Sequence, residues 1–315
     1  MKNFKWLIWT LPVILALTAV PLIVDAEKSY IVYSLFLFFC YIIISQAWNL
    51  VAGYTGQISL GQHAFFGLGA YTTALVWLHD MTKTGYYFDP VTMIISGLVP
   101  AALAAAVGIP LLSRLRGDYF ALGTLGMGEI VKVIFVKGGS FTGASDGLHL
   151  PSAVYSSIKP YYWTGLLLAF LATILVYFLV RSNTGLALRA IREDETSAAA
   201  RGINVLRYKV MAFSIGAFLA GICGSLYGIY LFHINPDSVL KLDWTLYPIL
   251  ICVIGGTGTV TGPVLGAFFI SAMFSVADIY FVQMHPVIAG TFIILVMKFM
   301  PGGLVGLIHR KVMTK

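Results

Sequence analysis

The chain has 315 residues, 59% of them hydrophobic and only 10% charged, with a formal net charge of +7. Soluble domains carry about 25% charged residues, so this composition excludes one and leaves a polytopic membrane protein. The basic balance points to charged cytoplasmic loops, and no nucleic-acid partner is expected.

Apolar runs fall at about 6–24, 30–52, 58–78, 91–112, 119–136, 161–180, 209–232, 243–256, 262–282 and 286–304. They have the length of helical spans and lack strand alternation, which argues against an outer-membrane barrel. The fold class expected is all-α: one transmembrane domain over 1–315, a helical bundle of about 8–10 spans with broken or re-entrant helices. Lys2 and Lys5 precede the first run, which is longer than the roughly 7–15 apolar residues of a signal peptide and reads as a retained span. Cys40, Cys223 and Cys252 lie in apolar runs without metal or pairing spacing and read as small buried hydrophobes.

Basic residues orient the spans. Arg114 and Arg116 follow the fourth run, and Arg181, Arg189, Arg192, Arg201, Arg207 and Lys209 lie between the sixth and seventh. His309, Arg310, Lys311 and Lys315 close the chain. Placing these clusters inside predicts two cytoplasmic termini and an even number of crossings, with loops 79–90, 137–160 and 233–242 outside. That parity forces a break near Gly255–Pro263, where GGTGTVTGP stands. Backbone groups freed by such a break cannot be satisfied by lipid, so it must face protein or water.

A second interruption lies at Gly53–Tyr71, GYTGQISLGQHAFFGLGAY. It sits at membrane depth yet is rich in glycine, amide, hydroxyl and imidazole groups. Such groups are expensive in a span and mark a function or a packing need. Gln57, Ser59, Gln62 and His63 are candidates for a substrate path, with Phe65, Phe66 and Tyr71 as apolar walls. The glycines alone fit helix packing equally well. Gly53–Ser59 echoes Gly255–Thr261, which adds Thr257 and Thr259 to the candidate path; paired interrupted segments are a sequence pointer to a transport site. In the fifth run, GDYFALGTLGMGEIVKVIF, Thr124 and Glu129 join the candidates. Glu129 and Lys132 stand at i, i+3, where they can form a packing ion pair, a polar gate or a contact for a zwitterion.

The loop 182–208 carries the densest charge. Gly185–Ile203 reads as helix–turn–helix, with Leu186, Leu188 and Ile191 apolar beside Arg189 and Arg192. Glu193, Asp194 and Glu195 form the turn, Asp194 or Thr196 can cap the second helix, and Gly202 can end it. An amphipathic element of this kind suits a groove on a cytoplasmic partner. No phosphate-binding loop, metal-spaced ligand set or nucleophile–base pair occurs, so neither catalysis nor a cofactor is expected.

Four stretches resemble the permease subunits of bacterial ATP-binding-cassette importers for branched-chain amino acids, of the LivM type. They are AWNLVAGYTGQISLGQHAFFGLGAYTTAL (47–75), GDYFALGTLGMGEIVKVIF with TGASDGL (117–148), RSNTGLALRAIREDETSAAARGIN (181–204) and YPILICVIGGTGTVTGPVLGAFF (247–269). The resemblance implies a subunit of the bacterial inner membrane without catalysis of its own. It implies four kinds of company: a homologous LivH-like permease, two LivG/LivF-like ATPases, an extracytoplasmic substrate-binding protein and the lipid bilayer. It assigns ATPase coupling to Arg189, Arg192, Glu193, Asp194, Glu195 and Gly202. The family's coupling glutamate is replaced here by Thr196, with Glu195 beside it. Permeases for urea and short amides share nearly the same motifs. An ion-coupled carrier is the rival outside this class.

Overall fold

The computed structural model describes residues 5–25, 29–79, 81, 88–150, 157–280, 290–291 and 303–306. Helices dominate it: α1 (Lys5–Ile23), α2 (Tyr30–Thr55), α3 (Gln62–Leu78), α4 (Pro90–Arg114), α5 (Asp118–Val136) and α6 (Lys159–Arg181). They are followed by α7 (Asn183–Glu193), α8 (Glu195–Ala200), α9 (Val205–Leu231), α10 (Pro236–Val239), α11 (Asp243–Gly255) and α12 (Thr261–Tyr280). Nine of the expected apolar runs coincide with helices to within a few residues; the run 286–304 and the basic chain ends fall largely outside the described residues. Among the described residues, α2, α4, α5, α6, α9 and the stretch Pro236–Gly255 formed by α10 and α11 together are long and apolar enough to cross a membrane.

Helix ends follow local chemistry. Asp89 caps α4 by accepting from the backbone N–H groups of Val91 and Thr92, and Pro90 supplies the preset first turn. Asn235 and Ser238 form a reciprocal capping box at α10. α2 ends in Gly56, whose φ of 73° is the left-handed conformation glycine adopts without strain.

α9 is the centre of the bundle and packs against α4, α3 and α2. Its backbone comes unusually close to theirs. A Cβ on Gly69 would overlap the Gly221 carbonyl, and one on Gly224 would overlap that of Phe66. Thr73, Ser96 and Ser225 bind the same three helices α3, α4 and α9 by hydroxyl hydrogen bonds of 2.7 Å. This is membrane-type packing, in which small residues and interhelical hydrogen bonds replace the absent hydrophobic drive between helices. Phe65 and Phe120 close on Phe213 edge to face, at 5.2 and 5.7 Å between ring centroids.

The polar segments sort to the two ends. α6 delivers the chain into α7 and α8, and α9 carries it back. The segments 56–61, 115–117 and 256–260 gather at that same end, where Arg116 faces Glu195 at 4.0 Å. At the other end, Leu148–His149 (β1) pairs antiparallel with His233–Ile234 (β2), joining two loops expected on one side. Lys132 on α5 meets Asp237 on α10 nearby, at 2.9 Å.

Candidate translocation site and coupling element

The first interruption is a true break. α2 stops at Thr55, residues 56–61 are non-helical, and α3 begins at Gln62. The break climbs from the end of the bundle into its depth. The Trp48 indole N–H donates to the Ser59 carbonyl at 2.9 Å, and Trp48 stands seven residues before Thr55, about 10 Å up the helix. The Leu60 N–H donates to Thr124 Oγ1 at 3.0 Å, and the Gly61 N–H reaches Ser59 Oγ at 3.4 Å. Ile58 alone of the four side chains in this segment turns a large apolar surface outward.

The second break, 256–260, joins α11 to α12 at the same end and is tied to α2 just ahead of the first break. Asn49 on α2 donates from Nδ2 to the Thr259 carbonyl and accepts the Gly258 N–H on Oδ1, both at 2.8 Å. Gln46 donates to the Val260 carbonyl at 2.8 Å. Thr259 Oγ1 donates to the Gly256 carbonyl at 2.8 Å and accepts the Gly262 N–H at 3.0 Å. Thr257 Oγ1 reaches back to the Cys252 carbonyl at 3.5 Å. Freed backbone groups are thus satisfied by side chains, as a break at membrane depth requires.

The loop 182–204 folds as the sequence predicts, two short helices joined at Asp194. The Asp194 carboxylate accepts from the Ser197 N–H at 2.6 Å to cap α8, and Gly202 ends the unit with φ +85°. Leu188 and Ile191 are buried, while Leu186, Arg189, Glu193, Ala199, Ala200 and Arg201 are exposed.

Two of the expected docking residues instead reach inward. The Arg192 guanidinium donates to the Gly53 carbonyl at 2.6 Å. It also lies beside Gly56 and Gly258, where a Cβ on Gly258 would strike it. Glu195 accepts from the Gln57 amide at 3.0 Å and from the Lys209 ammonium, a lysine only 2% exposed. Arg189 lies over the Tyr54 ring at 6.0 Å. One face of the α7–α8 unit therefore holds both breaks, and the other remains free.

Other expectations are redirected. Glu129 and Lys132 do not pair with each other: Lys132 takes Asp237, and Glu129 faces His63 Nε2 at 3.9 Å. Phe65, Phe66 and Tyr71 are fully buried and packed on Phe213, Trp244 and Phe135. They line the bundle core, so the structure does not bring them to an open face. Gln57 serves the coupling element, whereas Gln62 and His63 open α3. The residues that sequence reasoning passed over are Gln46, Trp48, Asn49 and Thr245. Their signal was present, since Gln46 and Asn49 are amides three apart in an apolar run just before a glycine-rich break.

A family profile described as the permease component of branched-chain amino acid transport systems matches residues 30–297. The chain belongs to that family. The high-affinity branched-chain amino acid transport system permease protein LivM of Salmonella typhimurium is 31% identical over 256 residues. The match covers 72% of this chain but 59% of that protein, so the chain spans under two thirds of that relative's length. A probable LivM of Methanocaldococcus jannaschii is 23% identical over 310 residues, 84% of this chain and 90% of its own. LivH of Salmonella typhimurium, a second permease protein, is 28% identical over 206 residues. No solved structure matches the chain. The chain is a multi-pass membrane protein, and all four stretches quoted for the resemblance lie within the matched residues.

Proposed function

We propose that this chain is the transmembrane subunit of an ATP-driven importer for leucine, isoleucine and valine, working in a bacterial inner membrane with both termini in the cytoplasm. It pairs with a LivH-like second permease and two LivG/LivF-like ATPases, one of which docks on the exposed side of α7–α8, and an extracytoplasmic binding protein delivers substrate at the β1–β2 end. Substrate passes between the two permeases along the breaks and α5, and ATP is hydrolysed on the partner chains.

The observation that carries this reading is the double grip of α7–α8 on both breaks. Arg192 holds the Gly53 carbonyl beside Gly258, and Glu195 holds Gln57. A docking element moved by ATPases would thereby move both breaks at once. Gly56 and Gly258 have positive φ and no side chain, so they offer hinges next to the grip.

The test is expression of the permease pair with both ATPases in vesicles, given binding protein and labelled leucine or labelled urea. ATP-dependent leucine uptake that urea does not compete is expected. Uptake of urea in preference to leucine would reassign the substrate, and gradient-driven uptake without ATPases would overturn the machinery.

A further inference from the structure

We propose that the Glu129 carboxylate receives the ammonium group of an α-amino acid in mid-membrane, with His63 positioning it. This rests on the permease reading above and names the chemistry of one point on its path.

Glu129 lies past the middle of α5 on a stripe otherwise made of Tyr119, Leu122, Ile130 and Val133, all exposed. Its own side chain is 56% exposed. A carboxylate in the centre of an apolar stripe is not left against lipid, so this face of α5 turns to water or protein. The nearest cation on the helix does not neutralise it, because Lys132 is taken by Asp237 at 2.9 Å. Among the described residues, no Lys or Arg lies within ion-pair distance of Glu129. Its countercharge is not supplied by the described residues.

His63 prepares the carboxylate. Thr245 Oγ1 accepts the His63 backbone N–H at 2.9 Å and lies 2.9 Å from His63 Nδ1. With the ring proton on Nε2, the Thr245 hydroxyl donates to Nδ1 and the Nε2–H faces Glu129. Nε2 is fully buried, has no hydrogen-bond partner, and points at Glu129 Oε1 from 3.9 Å. Gly128 leaves room for the ring, since a Cβ there would overlap the imidazole. His63 Nε2 thus faces one side of the carboxylate from 3.9 Å, while the exposed side stays open to a cation. Leu122 and Ile130 flank it with apolar surface suited to an aliphatic side chain.

The experiment uses the complete transporter in vesicles with labelled leucine and saturating binding protein. Glu129→Gln should lower the uptake rate about tenfold or more, the loss of a charge-assisted hydrogen bond, while Glu129→Asp retains most of it. Both variants should keep the second permease, the ATPases and stimulated ATP hydrolysis. His63→Gln, which restores an N–H donor, should transport better than His63→Leu at equal assembly. Uptake by Glu129→Gln within about twofold of the parent would overturn the proposal, taking a real loss to be worth at least tenfold. So would loss of the second permease from that variant's complex, which would make Glu129 a partner contact. Equal losses in the two His63 variants would overturn the positioning role. A parent complex that moves no leucine would instead defeat the permease reading itself.

Discussion

Asn49 carries two hydrogen bonds that nothing else in α2 replaces. Its amide satisfies the Gly258 N–H and the Thr259 carbonyl together. Asn49→Leu keeps the volume but strands both groups, at about 1–3 kcal/mol for each buried group left unpaired. The expected outcome is a lower yield of folded permease in detergent and a lower thermal midpoint, with membrane insertion unchanged; an unaltered midpoint would remove Asn49 from the break. Glu195 is the second pivotal residue. Lys209 is buried and paired with it, and removing one member of such a pair costs about 3–5 kcal/mol because the other charge remains. Glu195→Ala should therefore destabilise strongly, and Glu195→Ala with Lys209→Met should recover most of the loss. A double variant no better than the single would contradict this account.

At the scale of elements, α8 is a short helix that depends on its cap. The Ser197 hydroxyl, and then the Ser197 N–H, hold the Asp194 carboxyl below its ordinary value. A folded value lower than the unfolded one gives stabilisation that is complete above the unfolded value and fades as pH falls through the folded one. Protection of the 195–200 amides from hydrogen exchange, corrected for intrinsic rate, should stay flat from neutral pH into the carboxylate range and then fall. Asp194→Asn, which caps without titrating, should lose that acid limb. Close helix crossings give a second prediction at this scale. Gly69→Leu would drive α3 off the Gly221 carbonyl, and overpacking of this kind costs about 1–3 kcal/mol or more. The variant should fold poorly, with a lowered thermal midpoint, whereas Gly126→Leu, where nothing of this chain lies within 4 Å, should leave the midpoint unchanged.

These elements also show what the sequence made legible. Span lengths, both breaks, the helix–turn–helix and its cap follow from apolar run length, glycine and capping chemistry, all of which are local. The seating of the second break on α2 does not, because it depends on where α2 meets α11 and α12. For the same reason Arg192 and Glu195 read as outward docking residues. Their amphipathic helix marks a charged face but not what that face touches. Glu129 and Lys132 were legible as charges at membrane depth. Their partners came from α3 and α10, which no i, i+3 rule can reach.

At the scale of the whole molecule, α9 fixes α2, α3 and α4 as a rigid centre, while the breaks and α7–α8 collect at one end. Rigid crossings and gripped hinges are what a mechanical coupling needs: motion of the docking unit is passed to the breaks and not absorbed in the bundle. The most direct test is to measure ATP hydrolysis and leucine uptake on the same vesicles for the parent and for Arg192→Ala. The account predicts hydrolysis retained and uptake reduced about tenfold or more, since a charged donor to the Gly53 carbonyl is lost. Hydrolysis and uptake both unchanged, or both lost in proportion, would contradict it.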